Sequence, residues 1–250
     1  MNQTINPQAV GEYCEVKGYV APQNFFELRL PSPSDWNGKL FFSACPGFCG
    51  TLDGDSCNAG LAFGYASATS NGGHYSAPGF DGLWAANDLD AQVDFSYRSN
   101  HVVTVAAKKI IEAFYGTGPK RSYAAGCSKG GQAMLMAALR YPEDYDGIIP
   151  VAPTYDYTGT GVIKASWVTQ ANDDGKGGIL LDNAAIDLVH QAVLAACDET
   201  DGAKDGVVGD PLSCSWKPAD LLCKEGTSDA KCLNAAQVAA LTKIYAVPID

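Results

Sequence analysis

A serine between two glycines, at the junction of a predicted strand and a predicted helix, constrains the fold of this chain more than any other feature. The segment is Gly126-Cys127-Ser128-Lys129-Gly130, with a short apolar stretch over 122–125 before it and apolar residues at helical spacing over 134–139 after it. A G-x-S-x-G sequence in this context is typical of a nucleophile elbow, a strained turn that presents a serine hydroxyl above a sheet. We therefore predict Ser128 as a nucleophile. The alternative is a glycine-rich turn with an incidental serine.

The segments around this turn predict an α/β fold. A helical pattern from Val102 to Phe114 leads into the strand before Ser128, and another apolar stretch, Gly147 to Val151, follows at the distance expected of a βαβ unit in a parallel sheet. Alternating or β-branched apolar segments that read as strands open the chain near 14–20, 25–30 and 39–43.

The character of the chain changes after about Pro153. Loops rich in glycine, aspartate and cysteine then separate two amphipathic helix patterns, over 184–196 and 235–246. We predict a core domain over 1–153, which carries the nucleophile half of an α/β core, and the beginning of an inserted lid domain over 154–250.

Two backbone amides are candidates to bind the oxyanion that forms when a serine attacks a carbonyl. The N–H of Lys129 lies at the start of the predicted helix, where the helix dipole favours negative charge. A second donor is expected from a loop after an earlier strand, and Gly47 within 45–50 is the best candidate. The same residues are equally consistent with a plain turn that is cross-linked by its cysteines and has no role in binding an oxyanion.

Charge and cysteine content exclude some functions and favour export. The net charge of −11 argues against nucleic-acid binding, and no apolar run is long enough to span a membrane. Nine cysteines are many for a reducing compartment, so we expect disulfides and a secreted or periplasmic protein. No signal peptide is seen over Met1–Pro7, so we expect the leader to be absent from this chain. The sequence does not indicate an oligomeric state.

The stretches Gly126 to Gly131 and Arg140 to Ile148 together resemble the tannase and feruloyl esterase family, which includes the mono(2-hydroxyethyl) terephthalate hydrolases. Similar segments occur at 36–39, 73–74, 101–108 and 232–238, so the likeness covers nearly the whole chain. The resemblance implies an α/β-hydrolase core with an inserted lid. It also implies a serine esterase acting on small-molecule esters of aromatic carboxylic acids, such as gallate, ferulate or terephthalate esters.

Two departures from the family pattern leave the substrate open. Gln132-Ala133-Met134 stands where relatives often carry Arg-Gln-Gly, and the second oxyanion loop is Cys-Pro-Gly-Phe-Cys rather than a plain glycine-rich run. Neither departure alters Ser128 or its turn.

The cysteines fall into local groups with one left over. Cys127 matches a family cysteine that bonds to a partner beside the catalytic histidine, and by this resemblance its partner lies outside the chain. Cys197 and Cys214 flank one loop and are expected to bond, as are Cys223 and Cys232. Two further bonds are expected among four cysteines, in an order that the sequence does not settle: Cys14, Cys45, Cys49 and Cys57.

A complete catalytic triad is not expected within these residues. In this hydrolase class the acid and then the histidine follow the serine, and only His190, in a predicted lid helix, follows Ser128. His74 and His101 are expected to satisfy local groups, and Asp144 and Asp146 to cap turns. We therefore expect residues 1–250 alone to have little or no esterase activity. The alternative is a non-catalytic, calcium-stabilised secreted binding module on a hydrolase scaffold.

An aspartate-rich loop follows Cys197. Three aspartates within eight residues, with glycines at 202 and 206, suit a hard cation such as Ca²⁺. Resemblance to the family's lid loop implies a structural Ca²⁺ held by the carboxylates of Asp198, Asp201 and Asp205 and the carbonyls of Ala203 and Val207. The alternative is a solvated acidic turn.

Overall fold

The computed structural model describes residues 10–76, 81–224 and 231–246. The chain forms two compact units, Met1–Tyr157 and Thr158–Asp250, which are considered separately below. In the described part of the chain, no helix combines the length and the apolar character needed to cross a lipid bilayer.

A mixed six-stranded sheet forms the first unit, with the spatial order β1-β2-β4-β3-β5-β6. The first two strands form an antiparallel hairpin that pairs antiparallel with β4, whereas β4, β3, β5 and β6 are mutually parallel. The strands are β1 Tyr13–Val20, β2 Asn24–Pro31, β3 Lys39–Ala44, β4 Ala66–Ser70, β5 Arg121–Cys127 and β6 Gly147–Val151. This arrangement of sheet and crossover helices confirms the predicted α/β class.

Two long helices cover one face of this sheet. Helix α3, Ser99–Tyr115, packs on β2 and β4, and α4, Lys129–Arg140, packs on β5 and β6. Their buried side chains, with those of the strands, form one apolar cluster that includes Leu28, Leu40, Phe42, Val103, Ile111, Ala124 and Met134. The shorter helices of this unit are α1 Asn58–Leu61 and α2 Leu89–Val93, with a π-helical turn at Asp94–Arg98 between α2 and α3.

The opposite face of β2 carries charge. Arg29 Nε donates to Glu27 Oε1 at 2.7 Å, which forms a buried ion pair. Arg29 Nη1 also donates to Asn58 Oδ1 of α1 at 2.6 Å, so the buried guanidinium has hydrogen-bond partners. Successive residues of a strand point to opposite faces, so the alternation in β2 separates Leu28 and Leu30 in the core from this polar network.

The second unit is helical, with its own apolar core. Its helices are α5 Ala165–Ala171, α6 Asn183–Cys197 and α7 Ala235–Tyr245, and a π-helical turn at Tyr157–Lys164 precedes α5. Asp182 and Asn234 cap α6 and α7 by accepting backbone N–H bonds in the first turn. The buried core residues are Leu181, Ala185, Val189, Leu233, Ala240 and Leu241.

Three disulfides join neighbouring parts of the chain. Cys197–Cys214 and Cys223–Cys232 are the two bonds favoured by the sequence, and Cys45–Cys49 closes a ring in the loop after β3. A short-range bond of this kind constrains local structure more than the whole chain. Cys127 has a free and exposed thiol at the end of β5.

The expectation of a second bond among the first four cysteines is wrong. Cys14 pairs with Leu30 in the sheet register and therefore lies on that face, whereas Cys57 lies beside Arg29 on the opposite face. The sheet separates the two thiols, and both are free. Burial raises the pKa of Cys57 to about 12, which favours the protonated thiol over the thiolate at neutral pH.

Replacement of Phe42 tests the position of the core. Phe42 is fully buried, so we expect Phe42→Ala to lower the free energy of unfolding by about 3–5 kcal/mol, through lost burial and an unfilled cavity. The matched control is Phe63→Ala, because Phe63 is 56% exposed, and its cost should stay below about 1 kcal/mol. Urea unfolding of the chain measures both values. Equal costs for the two variants would contradict the assigned core.

Candidate active site

Ser128 lies at a strained turn between β5 and α4. Its backbone adopts φ 58° and ψ −115°, a conformation that residues with a side chain rarely adopt, and the residue is exposed. The backbone N–H of Ser128 donates to the carbonyl of Val151 at 3.0 Å, and the carbonyl of Ser128 accepts from the N–H groups of Gln132 and Thr154. The turn is therefore held by hydrogen bonds on both sides while Ser128 remains exposed.

The glycines of the motif are required by close packing. A Cβ at Gly126 would lie 2.5 Å from the backbone carbonyl atoms of Gly130, and a Cβ at Gly130 would lie 2.7 Å from the carbonyl oxygen of Ala44. Both distances are shorter than any ordinary carbon contact. Strand β5, the start of α4 and the end of β3 therefore meet only because these two positions lack side chains.

Both predicted oxyanion donors have backbone N–H groups that are free of protein acceptors in the described part of the chain. Lys129 is the first residue of α4, where an amide has no carbonyl partner one turn earlier in the helix. Gly47 lies in the loop after β3 with φ 61°, and the hydrogen bonds of that loop use the N–H groups of Cys49 and Gly50 instead. Across the described residues, neither Lys129 N–H nor Gly47 N–H donates to a protein acceptor.

The sheet register brings these two amides to the same edge. Ala44 pairs with Gly126, and Cys127 pairs with Val151, so β3, β5 and β6 end side by side. In a parallel sheet the loops that follow such strands share one edge, which is the usual place of a binding site. The loop with Gly47 and the turn with Ser128 are such loops.

The side chain of Lys129 is buried beside this turn, a feature that the sequence analysis missed. Its Nζ donates to the carbonyl oxygen of Phe95 at 2.9 Å and lies 4.3 Å from the centroid of the Phe95 ring. Burial lowers the pKa of Lys129 to about 7, although the carbonyl and the ring both favour the charged amine. The amine ties the first residue of α4 to the π-helical turn that contains Phe95.

Aromatic rings gather around Phe95. Its centroid lies 6.3 Å from that of Phe48, in the loop with Gly47, and 5.9 Å from that of Tyr157. Trp84 packs against it at 4.9 Å between centroids. We call Phe48, Trp84, Phe95 and Tyr157 the aromatic cluster. The four rings come from four separate segments of the chain, so no local sequence pattern predicts that they cluster.

His74 is enclosed by the same rings. It is 1% exposed and stacks on Trp84, with 3.5 Å between ring centroids. Burial lowers the pKa of His74, opposed by the nearby backbone of Gly72 and Phe48, and neither ring nitrogen makes a hydrogen bond of good geometry among the described residues. His74 is thus a packed, neutral ring and not a base in contact with Ser128.

Within the first unit, His101 and the carboxylates of Asp144 and Asp146 lie away from Ser128. His101 Nδ1 is 2.8 Å from Asp144 Oδ2, which joins α3 to the segment after α4. Asp146 accepts from the N–H of Ser122, near the start of β5 and so at the opposite edge from Ser128. His190 is exposed on α6 in the second unit. Among the described residues of the first unit, neither His74 nor His101 hydrogen-bonds to Ser128.

The predicted calcium loop is exposed and held by its own backbone. Asp198 accepts from the N–H of Gly206, and Asp201 accepts from the N–H groups of Ala203 and Gly209. Asp205 accepts from the N–H of Val207, so each of the three carboxylates binds at least one backbone amide. Within residues 10–76, 81–224 and 231–246, no three acidic, histidine or cysteine side chains converge as a metal-ligand set.

The buried amine of Lys129 predicts a particular dependence of stability on pH. Because its pKa is about 7 when folded and near 10.5 when unfolded, the unfolded chain binds the extra proton between these values, and stability should rise with pH there. From pH 7 to pH 9 we expect the wild type to gain about 2 kcal/mol of unfolding free energy relative to Lys129→Met. Urea unfolding at each pH measures this gain.

The matched control replaces an exposed lysine of α3. Lys109→Met should follow the pH dependence of the wild type, because its amine is in solvent in both states. A parallel pH dependence of the wild type and Lys129→Met would contradict the assigned burial of the amine.

Comparison with known proteins agrees with this geometry. The family model described as tannase and feruloyl esterase matches residues 7–250. The chain is 32% identical to mono(2-hydroxyethyl) terephthalate hydrolase from Piscinibacter sakaiensis, over 99% of the chain and 47% of that protein. It is 31% identical to a probable feruloyl esterase B-2 from Aspergillus flavus, over 94% of the chain and 44% of that protein. The chain therefore spans slightly less than half the length of these relatives.

Solved structures show the same fold. Feruloyl esterase B from Aspergillus oryzae superposes with a TM-score of 0.79 at 28% identity, over 92% of this chain and 46% of that one. Tannin acyl hydrolase from Aspergillus niger superposes with a TM-score of 0.67 at 20% identity, over 92% of this chain and 46% of that one, and supports the fold alone. The fold is thus of the α/β-hydrolase type, and the chain belongs to the tannase and feruloyl esterase family.

Proposed function

We propose that the protein is a serine esterase that hydrolyses small-molecule esters of aromatic carboxylic acids through an acyl-enzyme on Ser128. The observation that carries this proposal is the exposed Ser128 at φ 58°, at the same end of the sheet as two backbone amides that have no protein acceptor among the described residues. The relatives named above are a probable feruloyl esterase and a mono(2-hydroxyethyl) terephthalate hydrolase, and the feruloyl and terephthalate groups in these names each contain an aromatic ring.

The chemistry follows from these groups. The Ser128 oxygen attacks the ester carbonyl, its proton passes to a base, and the carbonyl oxygen becomes an oxyanion that accepts from the N–H groups of Lys129 and Gly47. Collapse of this intermediate expels the alcohol and leaves the acyl group on Ser128. Water then attacks the acyl group, and the carboxylic acid leaves with the serine restored.

We further propose that the base is not one of the histidines of this chain. His74 is enclosed by rings, His101 is paired with Asp144, and His190 is exposed in the second unit. A base must reach the hydroxyl directly or through one water, and among the described residues of the first unit neither His74 nor His101 hydrogen-bonds to Ser128. Residues 1–250 alone should therefore turn over esters poorly.

The substrate is proposed as an aromatic acyl ester because the aromatic cluster lies beside the elbow. Phe48 neighbours Gly47 in the sequence, and the Phe95 ring contacts the side chain of Lys129. Rings at such positions can stack on an aromatic acyl group and exclude water from it. Gallate, ferulate and terephthalate esters share this chemistry, and the departures at Gln132 and in the Gly47 loop leave the choice among them open.

We propose export to an oxidising compartment, secreted or periplasmic. Three disulfides among nine cysteines support this proposal, because thiols of cytosolic proteins are kept reduced.

Replacement of Ser128 tests the proposed nucleophile. In the complete encoded polypeptide, Ser128→Ala should lower kcat for an aryl ester such as 4-nitrophenyl benzoate by a factor of at least about 10³, because the attacking oxygen is lost. Spectrophotometric turnover measures the change, and Ser34→Ala, an exposed serine of the same unit, should retain wild-type turnover. Residues 1–250 alone, assayed beside it, should be nearly inactive.

Two results would count against the esterase. Turnover that survives Ser128→Ala would place the nucleophile elsewhere. A complete polypeptide that binds aromatic esters without turnover would favour a non-catalytic binding module on the hydrolase scaffold.

We propose a structural Ca²⁺ in the loop between Cys197 and Cys214, held by the carboxylates of Asp198, Asp201 and Asp205 and the carbonyls of Ala203 and Val207. The support is the chemistry of the donors, since each carboxylate keeps lone pairs beyond those used by the backbone N–H groups. The ligand set is not converged in this structure, so binding requires the carboxylates to turn inward. The loop belongs to the second unit, and no catalytic step depends on the ion.

Calorimetric titration of the oxidised chain with Ca²⁺ tests this site. We expect one site, whose affinity falls at least about tenfold in Asp201→Asn, because a charged ligand is lost. Asp187→Asn removes an exposed carboxylate from α6 and should leave binding unchanged. The absence of heat on titration of the wild type would show that the loop is a solvated acidic turn.

A further inference from the structure

The loop after β3 contains a feature that the proposed esterase chemistry does not require. Cys45 and Cys49 bond across four positions of the chain and enclose Gly47, whose N–H is a candidate oxyanion donor. Among the three disulfides this ring is the smallest, with a sequence separation of 4 against 9 and 17. Loop-closure entropy grows with ring size, so this bond contributes least to global stability. Its effect is therefore expected to be local.

Both ends of the ring are anchored to neighbouring backbone. At the first end, a Cβ at Gly130 would lie 3.3 Å from the carbonyl oxygen of Cys45, so the ring starts against the elbow helix. At the second end, a Cβ at Gly72 would lie 2.7 Å from Cys49 Cβ and 2.9 Å from its Sγ. The N–H of Gly50 also donates to the carbonyl of Asn71 at 2.8 Å.

The loop that contains the disulfide ring has positive φ angles, which are unfavourable for a residue with a side chain. Gly47, Cys49 and Gly50 have φ values of 61°, 58° and 88°. Glycine adopts such values freely, but a residue with a Cβ at position 49 prefers negative φ. The loop also keeps only one internal backbone hydrogen bond in the described residues, from Cys49 N–H to the carbonyl of Pro46. The N–H of Gly47 itself makes no hydrogen bond in the described residues, so the covalent ring is the constraint that acts directly on the backbone around Gly47.

We propose that the Cys45–Cys49 disulfide is a positioning element of the oxyanion hole, which fixes the N–H of Gly47 relative to the N–H of Lys129. This inference rests on the proposed esterase function. An oxyanion donor acts in the transition state only if it is already in place, because a mobile amide must be ordered at the moment of reaction. Loss of the bond should therefore slow the chemical step more than it weakens substrate binding.

Kinetics of the complete encoded polypeptide test this inference. In Cys45→Ser/Cys49→Ser we expect kcat for 4-nitrophenyl benzoate to fall about tenfold or more, with KM changed less than about twofold. The decrease in kcat should be smaller than that caused by complete loss of an oxyanion donor, because the Gly47 N–H is still present. The matched control is Cys14→Ser, which removes an exposed free thiol of the same unit and should retain wild-type kinetics. A purely structural role would not confine the effect to kcat.

If the serine variant does not fold, Cys45→Ser/Cys49→Gly takes its place, because glycine adopts the positive φ of position 49 without strain. A second measurement is independent of catalysis: hydrogen exchange of the 250-residue chain, read over 45–50 and over β5. Exchange should become faster at 45–50 in the variants and stay unchanged in β5.

The outcomes separate this inference from the proposed function. A wild type without turnover that depends on Ser128 would refute the esterase, and the exchange experiment would still decide whether the bond orders the loop. Folded variants with wild-type kcat, or with wild-type exchange over 45–50, would overturn the positioning role.

Discussion

The close approach of backbone to backbone at the end of β5 is the constraint on which the rest of this structure depends. A Cβ at Gly126 would lie 2.5 Å from Gly130, and a Cβ at Gly130 would lie 2.7 Å from the end of β3. With side chains absent there, the chain reverses within a few residues, and Ser128 takes a φ of 58° that local hydrogen bonds maintain. Strain of this kind persists only where the surroundings determine it, and it is common at functional sites.

The sheet then places the remaining groups. Because β3, β5 and β6 are parallel and end in register, the loop with Gly47 and the turn with Ser128 lie at the same edge. The side chain of Lys129 extends from the start of α4 into the π-helical turn, where it meets Phe95. One residue thus offers its backbone N–H to the candidate site and its amine to the protein interior.

Much of this arrangement could be predicted from the sequence because its signals are local. The elbow, α3 and β6 follow from apolar periodicity and glycine positions within short windows. Strand β4 was not predicted, because Ala66–Ser70 consists of small residues that fit a fully buried position but carry no β-branched or alternating pattern. The aromatic cluster was missed because its rings come from distant segments and meet only in the folded chain.

The cysteines also show that local sequence patterns do not predict contacts between distant segments. Pairs of cysteines that are close in sequence form the bonds that their spacing favours. Cys14 and Cys57 do not bond, because the sheet lies between them. The register of β1 on β2, which the sequence does not give, shows that the two thiols lie on opposite faces. The acidic loop is a third case, in which composition suggests an ion but the described carboxylates bind backbone amides. Composition identifies the chemistry of a segment, whereas convergence of side chains is a property of the fold.

The central claim is that Ser128 attacks a carbonyl whose oxygen is then held by the amides of Lys129 and Gly47. A crystal structure of the complete polypeptide after reaction with an aryl phosphonate tests it most directly, because the phosphonyl group mimics the tetrahedral intermediate. The account predicts phosphorus bonded to Ser128 Oγ, with the phosphoryl oxygen about 2.7–3.1 Å from both backbone nitrogens. Phosphorus on another residue, or a phosphoryl oxygen directed away from both amides, would contradict it.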